Sequence, residues 1–301
     1  METAITITDV AARDGLQNQE RLVPTEIKLE LIRRLAAAGV GSVEAASFVS
    51  PRAVPQMADA EEVIRGCSEI AGLRVSALVP NLKGLERALK SGSREVAVVL
   101  SATETMNQKN INMTLERATE VCVQTLDQAR AAGVATRAYI AVAFECPFEG
   151  RVSSDRVNAL MYAMLSAGAD EVVIADTIGA AGPYEVDALL TELGASAPLD
   201  KLAVHFHDTR GMGLANAFAA LKVGIRRFDA SVGGIGGCPF APGAAGNLAT
   251  EDLVLLAERS GLSTGVRLDA LVAVVDFAES VLGRQLGGRS MGWLRRCVAR
   301  K

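Results

Sequence analysis

Short apolar, β-branched runs alternate with longer amphipathic runs from one end of the chain to the other. This alternation is the feature that most limits what the chain can fold into. The strand-like runs are 4–9, 42–46, 74–79, 95–100, 135–142, 171–176, 202–207 and 227–231. Helix-like runs follow nearly all of them, at 24–38, 59–66, 82–90, 114–132, 153–167, 184–193 and 213–223. Thr114 reads as an N-cap, and Gly39, Gly92, Gly133, Gly168, Gly194 and Gly224 follow helix ends, where a left-handed residue terminates a helix at least cost. Eight β-then-α units without a break in composition predict an α/β fold, a closed parallel (β/α)8 TIM barrel with extra C-terminal helices. The competing topology is an open doubly wound sheet, but no GxGxxG follows the first strand. The expected organisation is one catalytic barrel over 1–283 and a basic, flexible tail over 284–301 with Trp293 exposed.

Composition agrees and narrows the functions. Half of the residues are apolar and only 4% aromatic, as suits a core of small and branched side chains under a parallel sheet. A net charge of −4 offers no basic surface, so no nucleic acid and no membrane is expected as a partner. Apolar runs are broken by charge before they reach spanning length, and the start of the chain lacks the basic-then-apolar pattern of a secretory signal. The five cysteines form no CxxC pair and read as reduced thiols of a cytoplasmic protein.

In such a barrel the chemistry lies at the C-terminal ends of the strands. The residues there are Arg13 and Asp14 after the first strand, Glu44 and Ser47 near the end of the second, and Asp176 at the end of the sixth. His205 and His207 end the seventh, and a glycine-rich stretch, 233–246, follows the eighth. His205 and His207 are the only histidines of the chain. Residues two apart on a strand face one side, so both imidazoles can meet one metal ion in the barrel mouth. Asp14 supplies an oxygen ligand, since the first strand lies two positions from the seventh around a closed barrel. An oxygen-rich set with no thiolate suits Mg²⁺ or Mn²⁺, with Zn²⁺ as an in vitro substitute. The stretch 233–246 reads as a phosphate cradle or as a mobile lid carrying a reactive Cys238; four glycines just before Cys238-Pro239 favour the lid.

These residues together resemble the 3-hydroxy-3-methylglutaryl-CoA lyase family of barrel metallolyases. The resemblance runs from about Ile5 to Leu282 and rests on DVAARDGLQNQ (9–19), VEAASFVSPRAVPQMAD (43–59), VPNLKG (79–84), KNIN (109–112), CPFEG (146–150), ADTIG (175–179), VHFHDT (204–209) and GGCPFAPGAAGNLATED (236–252). It implies retro-Claisen cleavage of an acyl-CoA to acetyl-CoA and acetoacetate, a place in leucine degradation, and a homodimer or higher homo-oligomer. By the same resemblance Asp14, His205, His207 and Asn247 are metal ligands, Arg13 stabilises the enolate, and Cys238 is an acid–base residue. Glu44, Asp176 and Glu251 order the site. The general base is Asp14 or His205. The chain departs from the family at Arg210 and Met212, in the run 104–108, and at Glu145, where a glycine is common. Those departures open an alternative substrate, such as citramalyl-CoA or a longer 3-hydroxy-3-alkylglutaryl-CoA. A metal-free binding protein and a synthase running the reverse reaction are the other readings; the intact ligand set opposes the first, and the lack of room for a regulatory domain opposes the second.

Overall fold

The computed structural model describes residues 4–237 and 246–300. Eight parallel strands close into a barrel: β1 (Thr6–Asp9), β2 (Ser42–Ser47), β3 (Arg74–Leu78), β4 (Glu95–Ser101), β5 (Ala135–Ala141), β6 (Glu171–Asp176), β7 (Leu202–Phe206) and β8 (Arg227–Ala230). Around the barrel β1 lies between β2 and β8, and β8 lies beside β7, so β1 is indeed two positions from β7. The eight-unit barrel expected from the alternation is therefore the fold.

The helices α1 (Thr25–Ala37), α2 (Ala60–Cys67), α3 (Leu82–Lys90), α4 (Glu104–Ile111), α5 (Leu115–Ala131), α6 (Ser154–Ser166), α7 (Pro183–Ser196) and α8 (Gly213–Val223) surround the sheet. Their inner faces bury Ile32, Leu35, Leu85, Leu126, Met164 and Leu190 against the strands. Each fully buried side chain of this kind contributes about 1.5–3 kcal/mol. The helix α4 has no counterpart in the periodicity of the sequence. Its register comes from Asn107, whose amide donates to the carbonyls of Ser101 and Thr103 and accepts from the Ser101 N–H. A short antiparallel ribbon pairs Glu145–Cys146 with Gly150–Arg151 above β5.

Three helices follow the barrel: α9 (Thr250–Arg259), α10 (Leu268–Leu282) and α11 (Met291–Val298). The last corrects the expectation of a flexible tail over 284–301. Met291 and Leu294 are buried, and Arg295 pairs with Asp276 at 2.7 Å and Glu279 at 2.8 Å on α10. The loop before α11 is fastened at Asp252, which accepts from the backbone N–H of Arg289 (2.6 Å) and Ser290 (2.8 Å). Arg295 of this basic stretch is thus ion-paired, and Trp293 is exposed as expected.

The barrel interior is layered. At its floor, charges pair between neighbouring strands, Arg74 with Glu95 at 2.7 Å and Arg137 with Glu171 at 2.6 Å, and across β7, where Arg227 on β8 reaches Glu171 on β6 at 3.2 Å. Above them Ala97, Tyr139, Val173 and Ala203 fill the centre. The mouth lies at the next step along the strands.

Candidate metal centre and active site

The chain leaves β1 through a tight π-helical turn, Ala11–Gly15, that folds Arg13 and Asp14 back over the mouth. Asp9 fixes this turn. Its carboxylate accepts from Ala11 N–H (2.9 Å), Val232 N–H (2.8 Å) and the Thr250 hydroxyl (2.7 Å), tying the ends of β1 and β8 to α9. Complete burial pushes the Asp9 carboxyl up to about 6.

Asp14, His205 and His207 each place a ligand atom within 4.8 Å of the others. The two histidine Nε2 atoms stand 3.2 Å apart. Asn247 joins the group through a backbone bridge to His207 and a 2.8 Å hydrogen bond from its amide to Asp14 Oδ2. That orientation leaves Asn247 Oδ1 buried without a partner among the described residues, and His207 Nδ1 is likewise buried and unpartnered. The approach of Asn247 requires glycine around it. A Cβ on Gly236 would stand 2.6 Å from Asn247 Nδ2, and one on Gly246 would stand 2.3 Å from the Gly234 carbonyl oxygen.

The electrostatics suit a cation. Burial would raise the Asp14 carboxyl, but Arg13, His205, His207 and the Asn247 amide together hold it below its usual value. Burial, with the neighbouring His205, pushes His207 down to about 4, so its ring is neutral near pH 7 and offers a lone pair. His205 Nδ1 lies 3.3 Å from Asp229 Oδ2. A proton on Nδ1 donated to that carboxylate leaves Nε2 with its lone pair toward Asp14 and His207. Two imidazoles, a carboxylate and a free amide oxygen fit a divalent cation that also takes substrate oxygens.

Arg13 is buried beside this cluster. Its Nε donates to Glu44, and its Nη1 donates to Asp14 at 2.8 Å. Burial opposes its charge, but Glu44 and Asp14 more than offset that, so the guanidinium stays protonated. Behind Glu44, the Tyr139 hydroxyl lies 3.0 Å from Glu44 Oε2 and 2.7 Å from Asp229 Oδ2, and it accepts from Arg137 at 3.1 Å. Tyr139 and Asp229 thus connect the Arg13 side of the mouth to the His205 side. The sequence reading missed both. The available signal was an aspartate in the apolar strand next to the histidine strand.

The cluster opens into a cavity of about 420 Å³ whose polar end holds Arg13, Asp14, His205 and His207 and whose walls include Leu78, Val99 and Met106. Of the other expected site residues, Glu44 lies in this centre, whereas Asp176 and Glu251 hold loops. Asp176 accepts from the N–H groups of Ala180 (2.9 Å) and Ala181 (3.0 Å). Glu251 accepts from Gly233 N–H (3.0 Å) and Gly288 N–H (2.7 Å), and burial pushes it up to about 7. Cys238 lies outside the described residues, as does most of the segment read as a lid. Arg210 does not line the cavity. It donates to the Ala180 carbonyl at 3.0 Å and lies 3.6 Å from Glu145, so two of the chain's departures from the family meet in one exposed pair. Cys67 and Cys122 are buried, and burial pushes both thiols up to about 12, as inert packing thiols require.

Comparison with known proteins places this geometry. The HMGL-like family model matches residues 4–278. The chain is 42% identical to the hydroxymethylglutaryl-CoA lyase of Bacillus subtilis over 287 residues, covering 95% of this chain and 96% of that protein. The crystal structure of the B. subtilis HMG-CoA lyase superposes with a TM-score of 0.95 at 41% identity, over 98% of this chain and 100% of that one. An HMG-CoA lyase from A. baumannii, solved in complex with coenzyme A and 3-methylmalate, superposes with a TM-score of 0.91 at 39% identity, over 96% and 94% of the two chains. The chain belongs to the HMGL-like family.

Proposed function

We propose that this chain is a divalent-metal-dependent carbon–carbon lyase that cleaves 3-hydroxy-3-methylglutaryl-CoA to acetyl-CoA and acetoacetate. The observation that carries the reading is the convergence of Asp14, His205 and His207 beside the buried Arg13 in one cavity, in a chain 42% identical to a curated lyase of that specificity. Asp14, His205, His207 and the free Oδ1 of Asn247 would hold the ion, and Mg²⁺ or Mn²⁺ suits this donor set. A divalent cation bound there supplies Lewis-acid polarisation of the substrate oxygens.

The chain's own residues account for the rest. The 3-hydroxyl proton passes to a base, for which Asp14 and His205 are the groups at hand. The C2–C3 bond breaks, its electron pair moves into the thioester, and acetoacetate leaves. Arg13 meets the thioester oxygen as it becomes negative, held for that task by Glu44 and Asp14. Cys238 is the proposed donor of the proton that converts the enolate carbon to the methyl group of acetyl-CoA. The coenzyme A ligand of the A. baumannii enzyme supports an acyl-CoA substrate. No helix among the described residues is long and apolar enough to cross a membrane. A cytoplasmic homo-oligomer acting in leucine degradation is the setting we propose. The test is acetyl-CoA release by the purified protein from 3-hydroxy-3-methylglutaryl-CoA and from citramalyl-CoA. A kcat/KM higher on citramalyl-CoA would contradict the assigned substrate.

A further inference from the structure

Strand β2 does not alternate as its sequence implies. Glu44 and Ser47 are three residues apart, so a regular strand would send them to opposite faces. In the structure Glu44 pairs with Ser76 and Ser47 pairs with Leu78, and the register shifts between Glu44 and Ala46. Ser76 and Leu78 are two apart on β3 and share a face, so the irregularity turns Ser47 to the same side as Glu44. Bulges of this kind re-aim side chains beside active sites. Ser47 accordingly lines the cavity with Leu78, Arg13 and the histidines. Its residue is 1% exposed, and among the described residues its Oγ has no hydrogen-bond partner. A buried hydroxyl left unpaired is unfavourable, and a ligand oxygen at this position would give it a partner.

The location says which oxygen. Glu44 holds the Arg13 guanidinium, and Ser47 is the next inward residue toward the mouth on the same strand. We propose that the Ser47 hydroxyl is a second donor, beside Arg13, to the thioester oxygen of the acyl-CoA, and that it acts on the enolate form of that oxygen. The proposal rests on the lyase reading above. The hydroxyl donates a hydrogen bond and keeps its proton, so the proton and electron balance of the cleavage is unchanged.

The experiment uses the metal-loaded protein and its Ser47→Ala variant in two assays. One measures cleavage of 3-hydroxy-3-methylglutaryl-CoA. The other measures loss of deuterium to water from acetyl-CoA labelled as CD3, a reaction that needs only the enolate half of the chemistry. The variant should keep its melting temperature and metal stoichiometry. Its kcat for cleavage should fall about 100-fold, as removal of one oxyanion donor does, with exchange falling by a similar factor and KM little changed. A raised KM at unchanged kcat would overturn the proposal, because Ser47 would then serve ground-state binding. Unimpaired exchange alongside impaired cleavage would also overturn it, because the hydroxyl would then act on another part of the substrate. A native protein that exchanges deuterium but does not cleave the methylglutaryl thioester would instead refute the substrate reading, and the Ser47 effect on exchange would stand apart from it.

Discussion

The floor and the mouth of this barrel both bury charge, but they treat it differently. At the floor every donor nitrogen of Arg137 is spoken for: Nε by Glu171, Nη1 by the Tyr139 oxygen and Nη2 by Asp229. The set is closed, and nothing in it calls for a ligand. At the mouth two histidine nitrogens face each other at 3.2 Å, while His207 Nδ1, Asn247 Oδ1 and Ser47 Oγ are buried without partners among the described residues. An arrangement that costs stability when empty is worth keeping only if something binds there. A buried charged cluster therefore says little by itself about function; whether its polar atoms are satisfied distinguishes scaffold from site.

The comparison breaks most sharply at Arg13, the one arginine or lysine lining the mouth among the described residues. Replacing it with lysine keeps the charge but loses the fork that spans Glu44, Asp14 and the substrate. Arg13→Lys should lower kcat by about 10³-fold or more with little change in KM and in melting temperature. Steady-state kinetics check this, and a change confined to KM would move Arg13 to ground-state binding. The opposite behaviour is expected at the floor. Arg137→Met removes the cation that Glu171 and Asp229 share, leaving Glu171 with Arg227 and Asp229 with Tyr139 and His205, and should cost about 3–5 kcal/mol by denaturant unfolding. Any surviving folded fraction should still bind one metal ion per chain, since no mouth ligand has been removed. A stable Arg137→Met protein that had lost the metal would erase the distinction between the two layers.

Glu251 tests the contrast by pH. It is buried, it ties the loop at Gly233 to the one at Gly288, and its carboxyl rises from 4.5 to about 7 on folding. A raised carboxyl means that the folded state binds the proton more tightly. Its contribution to stability is therefore fully present below pH 4.5 and is lost as pH rises through about 7, a change of about 3 kcal/mol. Unfolding free energies of the native chain should show this downward slope, and Glu251→Gln should show a shallower one, with the part due to the raised Asp9 carboxyl remaining. Equal slopes in the two proteins would refute the assignment. The smallest effect is expected at Arg210, which is held by Glu145 and Ala180 outside the cavity. Arg210→Tyr should leave the ratio of kcat/KM for the methylglutaryl and citramalyl thioesters unchanged, and a shift of tenfold would bring Arg210 into the site.

The strand ends and the convergence of Asp14, His205 and His207 were readable from sequence because each rests on local pattern. The His205–His207 spacing and the acidic residue after the first strand point to one face of one closed barrel whatever the loops do. Ser47, Tyr139 and Asp229 were harder for distinct reasons. Ser47 reaches the cavity only through a register shift, which period-two reasoning cannot foresee. Tyr139 and Asp229 meet Glu44 and His205 across the barrel, at sequence separations that no local window spans. The helix α4 depends on the side-chain bonds of Asn107 rather than on an apolar stripe, and α11 depends on partners in α10 and Asp252. Tertiary contacts decided all of these.

The central claim is that the open cluster at the mouth holds the divalent ion on which cleavage depends. The most direct measurement pairs calorimetric titration of Mn²⁺ into chelator-treated protein with acetyl-CoA release from 3-hydroxy-3-methylglutaryl-CoA, for the native chain and for His207→Ala. The native chain should bind one ion per chain and regain activity in step with occupancy, whereas the variant, having lost one of few ligands, should lose most of both. Full activity of native protein verified to be metal-free, or undiminished Mn²⁺ affinity in His207→Ala, would contradict the account.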